Sequence, residues 1–272
     1  MAPSSPVRNL RECLHGWLIS DLSTNMAVRG EDVRDMGDPR QPTKHDMDEP
    51  LRTLMPLTVA VCERWGPAID FGLTPDEATA VARATESRRR EFATGRHCAR
   101  SALLAFGKHG ISIAANPDRT PAWPPGLIGS ITHTQGYCGV AVASVSEFLG
   151  VGVDAERDDA LHQALWPTIC RSEELARLEA LPPDYRVAMA TLVFSAKESF
   201  YKCQYPVSRR WLDFHDVSVE VKGSIFIVSP RTDLGIDGFQ NPLMGRFIRK
   251  RGVLLTAMVV PRKPTDLECP AD

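Results

Sequence analysis

Two periods of apolar residues alternate along this chain and predict its elements. Met55 to Cys62 is a β-rich run bounded by Pro56 and Glu63, the pattern of a strand. Thr74, Pro75 and Glu77 supply a capping hydroxyl, a first-turn proline and the reciprocal acid of a capping box, so a helix begins there and runs to about Thr85. Between Ser87 and Phe106, Phe92, Ala99, Leu103 and Phe106 fall on one helical face, with Arg89, Arg96 and Arg100 near another. Pro117, Pro121, Pro124, Pro125, Gly126 and Gly129 punctuate the stretch from Ile111 to Gly136, which reads as loop, and an apolar strand follows from Tyr137 to Val145. Val151 to Val153 form a further strand that closes on Asp154 and Glu156. Ser172 opens a short helix, and Asp184 caps a long one, Tyr185 to about Gln204, whose buried stripe is Ala188, Leu192, Ala196 and Phe200. The remainder is β: Val217 to Val221, Ile225 to Val228, Gly245 to Ile248 and Gly252 to Val260. Each half places helices before apolar strands, although the echo between 141–144 and 255–260 is too weak to establish duplication.

A chain of 272 residues with 43% apolar and 24% charged residues buries a real core, as one large domain or two small ones. A net charge of -2 excludes a generally basic nucleic-acid binder. Residues 1–50 show no periodicity and read as a loose, disordered leader, within which Met26, Met36 and Met47 offer later starts. Beyond Pro261 the chain reads as a frayed tail. Seven cysteines, an odd count without a CxxC pair, support neither a disulfide framework nor a zinc site. With no apolar run of membrane length and no signal peptide, the expectation is a cytoplasmic protein.

The candidate chemistry lies between Gly150 and Lys202. Side chains two apart on a strand share a face, so Asp154 and Glu156 occupy one small volume, and their repulsion calls for a divalent cation, a proton or solvent. Glu198 offers a third oxygen from a helix. The plainer alternatives are a solvated turn for the acid pair and a surface pair of Glu198 with Lys202 at i+4. The arginines near 88–100 suit a multiply phosphorylated ligand or, equally, a solvated face. Thr132 and His133, flanked by hydroxyls, suit anion binding or a structural role.

Four stretches in register, RRREFATGRHCARSAL, PAWPPGLIGSITHTQG, GVGVDAERD and FSAKESFYK, closely resemble the Sfp/EntD-type 4′-phosphopantetheinyl transferases, particularly the actinobacterial kind, over Leu54 to about Val260. The resemblance implies an α+β fold of two pseudo-symmetric halves, 51–150 and 151–262, followed by a tail at 263–272. Each half would be a small antiparallel sheet packed on a long helix, with coenzyme A between them. The implied reaction transfers the phosphopantetheine arm from coenzyme A to a serine of an apo acyl or peptidyl carrier domain, with Mg²⁺ or Mn²⁺, and releases adenosine 3′,5′-bisphosphate. Asp154 and Glu156 match the family's metal ligands. Glu198 matches the acid of its KES motif, as a ligand and as the base for the serine proton, directly or through a water. Lys197 and Lys202 match lysines beside the pyrophosphate, Lys197 with a catalytic role as well. Arg88 and Arg96 match positions on the 3′-phosphate side, although helix geometry alone pairs Arg89 with Arg96. Thr132 and His133 match a phosphate-contacting pair, and Ala115, Asn116, Pro117 and Asp118 occupy the loop beside the adenine. Ala115 stands where relatives often carry charge, which shifts the expected affinity onto backbone contacts and Arg88. Phe194 stands where some members carry Trp. The expected partner is an acidic helical carrier domain, with Arg209 and Arg210 as candidate docking points; neither nucleic acid nor membrane is a partner, and the protein is a monomer. Two alternatives stay open: a metal-dependent phosphohydrolase acting on coenzyme A, and a non-catalytic coenzyme A-binding protein, against which the acid triplet with Lys197 speaks.

Overall fold

A computed structural model describes residues 49–158, 161–240 and 242–263. The expected leader up to residue 48 and the tail from residue 264 lie outside them. In chain order the first elements are α1 (Pro50–Leu54), β1 (Ala60–Trp65), α2 (Pro75–Ala80), α3 (Glu86–Leu103), β2 (Leu127–Thr134), β3 (Tyr137–Ser144) and β4 (Phe148–Arg157). After them come α4 (Trp166–Ile169), α5 (Ser172–Glu179), α6 (Pro183–Ser208), β5 (Val217–Lys222), β6 (Ile225–Pro230), β7 (Leu243–Lys250) and β8 (Val253–Pro261). The strands form two antiparallel sheets, one ordered β1-β3-β2 and the other β4-β8-β7-β6-β5, so the fold is α+β. The two sheets are unequal, and the second already begins at Phe148.

Period-two alternation on β3 feeds two cores at once. Tyr137, Ala141 and Ala143 join a cluster with Leu51, Val59, Val151, Val153, Leu255 and Ala257, which links both sheets. Cys138, Val140 and Val142 point the other way, onto Ala99, Ala102 and Leu103 of α3. Each large aliphatic side chain buried so completely stabilises the fold by about 1.5–3 kcal/mol.

Strand β4 splits its faces differently. Its odd positions, Val151, Val153 and Ala155, enter the shared core, whereas Gly150, Gly152, Asp154 and Glu156 alternate onto the opposite face. There the glycines let α6 descend onto the strand: a Cβ on Gly152 would lie 1.9 Å from the Ser199 carbonyl oxygen, and one on Gly150 would lie 2.6 Å from that of Cys203. The acids that follow on the same face are therefore pressed against the same helix.

Several boundaries differ from the sequence expectation. The capping box of Thr74 and Glu77 forms as expected, but α2 ends at Ala80, and Thr85 caps α3 anew. Met55 to Val59 is turn rather than strand, because α1 precedes it and the Val59 N–H closes onto the Pro56 carbonyl. Helix α6 starts at Pro183, keeps Asp184 in its first turn, and continues through Pro206 to Ser208. Strand β2 lies within the stretch read as loop. Its inward residues Ser130 and Thr132 are polar, so hydrophobic alternation never appears there.

Because Ser199 contributes backbone at the contact, a side chain at Gly152 has no room to be accommodated. Gly152→Ala is expected to destabilise the fold by about 1–3 kcal/mol or more, the cost of overpacking, read as a lowered midpoint in urea unfolding.

Candidate active site

The site collects residues from β2, β4, α3, α6 and β8. Lys202 Nζ donates to Asp154 Oδ1 at 2.6 Å and reaches Thr132 Oγ1 at 3.5 Å, while Thr132 Oγ1 lies 3.4 Å from Asp154 Oδ1. Ser195 Oγ donates to the other oxygen, Oδ2, at 2.8 Å. The first half is tied to β4 a little deeper, where the Val153 N–H donates to Ser130 Oγ at 3.1 Å. Ser195, Glu198 and Lys202 share one face of α6 by their i, i+3, i+7 spacing, and this face meets the acids.

Asp154, Glu156 and Glu198 are all buried. Burial first, then Asp154 and Glu198 as like charges, raises the Glu156 pKa well above its ordinary value, with only Lys202 opposing. Burial pulls Lys202 down, but Asp154, Glu198 and Glu156 outweigh it and hold its pKa above the usual lysine value. As placed, the three acids do not form the expected closed triplet: among the described residues, no group of three His, Cys, Asp or Glu side chains could hold a metal ion. The ammonium of Lys202 takes the Asp154 oxygen instead. The donor set nevertheless fits a hard divalent cation. Mg²⁺ is commonly held by one or two carboxylates, waters and substrate phosphates rather than by an all-protein cage, and it would relieve the like-charge repulsion that contributes to the raised Glu156 pKa.

A cationic side faces the acids. Arg88 Nη1 donates to His133 Nε2 at 2.6 Å, so Nε2 carries the lone pair. Burial, then Arg88, then Lys202 push the His133 pKa down to about 3, which keeps the imidazole neutral at physiological pH. Arg119 acts on Arg88 as a second like charge. It lies one residue past the expected loop, in a turn where Asn116 Nδ2 donates to Thr120 Oγ1 at 3.0 Å and Ala115 bridges to Pro121. Arg119 thus brings a charge next to the uncharged Ala115 loop, and its only signal in the sequence was its place just beyond that loop. Asp118 pairs with Arg209 at 2.6 Å and joins the turn to the end of α6.

Two expected ligand residues are committed elsewhere. The Lys197 ammonium, 1% exposed, donates to Glu174 Oε2 at 2.7 Å, the Ile169 carbonyl at 2.8 Å and the Phe214 carbonyl at 2.9 Å. All three N–H groups are spent, and the head lies one helical step away from the acid face. The expectation that Lys197 is catalytic and beside the pyrophosphate is therefore corrected: it anchors α6 to α5 and the turn before β5. Arg96 is buried against Phe92, with its Nε donating to the Ile113 carbonyl at 2.6 Å, and burial lowers its pKa to about 10, still a cation at neutral pH. Arg89 is exposed and Arg100 pairs with buried Glu77 at 2.8 Å, so the arginines form no single stripe.

Paired buried carboxylates beside Lys202, with a neutral histidine and Arg88 next to them, suit a polyphosphate substrate accompanied by a hard cation. Comparison with known proteins narrows the class. Residues 76–143 match the 4′-phosphopantetheinyl transferase N-terminal domain, and residues 150–233 match the 4′-phosphopantetheinyl transferase superfamily. The chain is 36% identical over 199 residues to the 4′-phosphopantetheinyl transferase PptT of Mycobacterium tuberculosis, covering 70% of this chain and 87% of the relative. It is 30% identical over 224 residues to Npt of Nocardia iowensis, covering 76% and 98%. It is 37% identical over 199 residues to Svp of Streptomyces mobaraensis, covering 69% and 78%. The chain belongs to the 4′-phosphopantetheinyl transferase superfamily, and it is an enzyme that transfers phosphopantetheine to carrier proteins. Coenzyme A is the substrate of that family.

Two outcomes follow from the buried groups. Lys197→Met removes the buried cation opposite Glu174 and leaves it only the backbone N–H groups of Arg171 and Val219, and is expected to cost about 3–5 kcal/mol in urea unfolding, part of which the double variant with Glu174→Gln recovers. His133 has a folded pKa near 3 against 6.5 in the unfolded chain, so the unfolded state binds the extra proton between those values. Stability therefore falls as pH drops from about 6.5 toward 3, and His133→Asn flattens that slope in melts recorded across the range.

Proposed function

We propose that this enzyme transfers the phosphopantetheine arm of coenzyme A to a serine hydroxyl of an apo acyl or peptidyl carrier domain in a reaction dependent on Mg²⁺ or Mn²⁺, releasing adenosine 3′,5′-bisphosphate. The observation that carries this reading is the buried Asp154–Glu156 pair on one face of β4, where burial and the neighbouring Asp154 charge raise the Glu156 pKa. When bound, the cation neutralises the pyrophosphate oxygens and the departing bisphosphate. Asp154 and Glu156 hold it, with Glu198 beside them.

The remaining roles belong to the chain's own groups. Lys202 and Thr132 bind the pyrophosphate from the side opposite the acids. Arg88 and Arg119 receive the 3′-phosphate side of coenzyme A, where guanidinium forks match phosphate oxygens, while Arg96, held by Ile113 and Phe92, contributes only its charge from behind. Neutral His133 keeps Arg88 aimed and offers its Nδ1–H to a phosphate. Backbone and side chains from Ala115 to Asp118 close over the adenine. Glu198 accepts the proton of the attacking serine, directly or through a water. Positioning and charge stabilisation then supply most of the rate. The enzyme acts as a monomer, since both halves lie within one chain, and works in the cytoplasm, as its seven cysteines without a disulfide framework suggest.

The reading is tested by intact mass of an apo carrier protein incubated with the enzyme and coenzyme A, with Mg²⁺ or with EDTA. A gain of one phosphopantetheine that EDTA prevents, and that Asp154→Ala abolishes while its melting curve stays cooperative, is the expected result. Transfer that persists in Asp154→Ala removes the role given to that residue. Mg²⁺ is also expected to raise the melting temperature of the wild type more than that of Glu156→Gln, since the neutral variant has less repulsion to relieve.

A further inference from the structure

Asp154 accepts from the Ser195 hydroxyl of α6, which is itself backed by the Thr256 hydroxyl of β8. An ionised carboxylate only accepts hydrogen bonds, so the Ser195 hydroxyl, 2.8 Å from Oδ2, must donate to it. That spends the one proton Ser195 has. Its 2.9 Å contact with Thr256 Oγ1 can therefore be closed only by the Thr256 proton, which Thr256 shares between Ser195 Oγ and the Ser195 backbone carbonyl, to which it donates at 3.0 Å. Thr256 is the register partner of Asp154 on β8, so both side chains leave the sheet on the face that meets α6. Thr256 and Ser195 are completely buried. The other carboxylate oxygen, Oδ1, meets Lys202 at 2.6 Å and, at 3.4 Å, the Thr132 hydroxyl.

We infer that Thr256 and Ser195 form a hydroxyl relay that fixes the Asp154 carboxylate by its Oδ2 and leaves Oδ1 as the oxygen offered to a divalent cation in exchange for Lys202. The inference rests on the proposed reading of Asp154 as a cation ligand. Both hydroxyl residues act through Asp154 and touch no substrate, so they are positioning residues. Partners of this kind orient metal ligands, and their removal commonly weakens metal affinity by about 10–100-fold.

The test measures Mn²⁺ binding to the protein without coenzyme A, by the electron paramagnetic resonance of free Mn²⁺, in the wild type and in Thr256→Val, Thr256→Ser, Ser195→Ala and Asp154→Ala. The relay predicts a Kd for Mn²⁺ raised about 10-fold or more in Thr256→Val and Ser195→Ala, and restored by Thr256→Ser, which returns the hydroxyl. In transfer assays the KM for Mg²⁺ rises in parallel, and the KM for coenzyme A does not change. If the buried valine prevents folding, Ser195→Ala carries the same comparison with less change of shape. Wild-type Mn²⁺ affinity in folded Thr256→Val or Ser195→Ala, with binding lost in Asp154→Ala, overturns the relay alone. Undiminished binding in Asp154→Ala, or no binding in the wild type, overturns the reading of Asp154 and the relay with it.

Discussion

The close approach of α6 to β4 is the constraint on which the rest of the site depends. Gly150 and Gly152 carry no side chain on the face where Asp154 and Glu156 do, and the Ser199 carbonyl occupies the space that a Cβ on Gly152 would need. This alternation lowers the helix onto the strand just before the acids begin. Ser195, Glu198 and Lys202 are then within reach of carboxylates that would otherwise face solvent. The spacing that makes GVGVDAE recognisable is thus a packing rule first: small residues where the helix touches, acids where it leaves room.

Charge is distributed across this contact with a clear polarity. Three buried acids lie toward the second sheet, with Lys202 between them and Thr132 of the first. Arg88, Arg119 and a neutral His133 lie beyond. Low-dielectric surroundings strengthen each of these interactions, so Glu156 is held well above its ordinary pKa, while Lys202 and Arg88 are held in place by Asp154 and Glu91. A polyphosphate and a divalent cation arriving together would neutralise both sides at once. The second buried ion pair, Lys197 with Glu174, takes no part in this and locks α6 from behind. Two adjacent residues of one motif, Lys197 and Glu198, therefore serve different ends because they are about 100° apart on a helix.

Much of this was legible in the sequence, and the failures have physical causes. The capping box at Thr74, the long apolar stripe of α6 and the shared face of Asp154 and Glu156 follow from local rules, and the structure contains each. Strand β2 was hidden because its inward residues, Ser130 and Thr132, are polar where a core strand would be apolar. Lys197 was misplaced because motif position says nothing about which way a side chain leaves the helix, and its partner Glu174 is far away in sequence. Ser195 and Thr256 carried no signal as a pair, since a relay between two elements exists only once strand register and helix packing are known. The arginine helix misled in a similar way. Arg89, Arg96 and Arg100 align by spacing, yet Arg96 and Arg100 are drawn inward by Ile113 and Glu77.

The most direct test of the central claim is an anomalous difference map from crystals grown with coenzyme A and Mn²⁺. The account predicts one strong manganese peak within ligand distance of Asp154 Oδ1 and of Glu156, with Lys202 moved off Asp154 and onto the pyrophosphate. A manganese peak away from this pair, with coenzyme A in clear density and Lys202 still on Asp154, would contradict it.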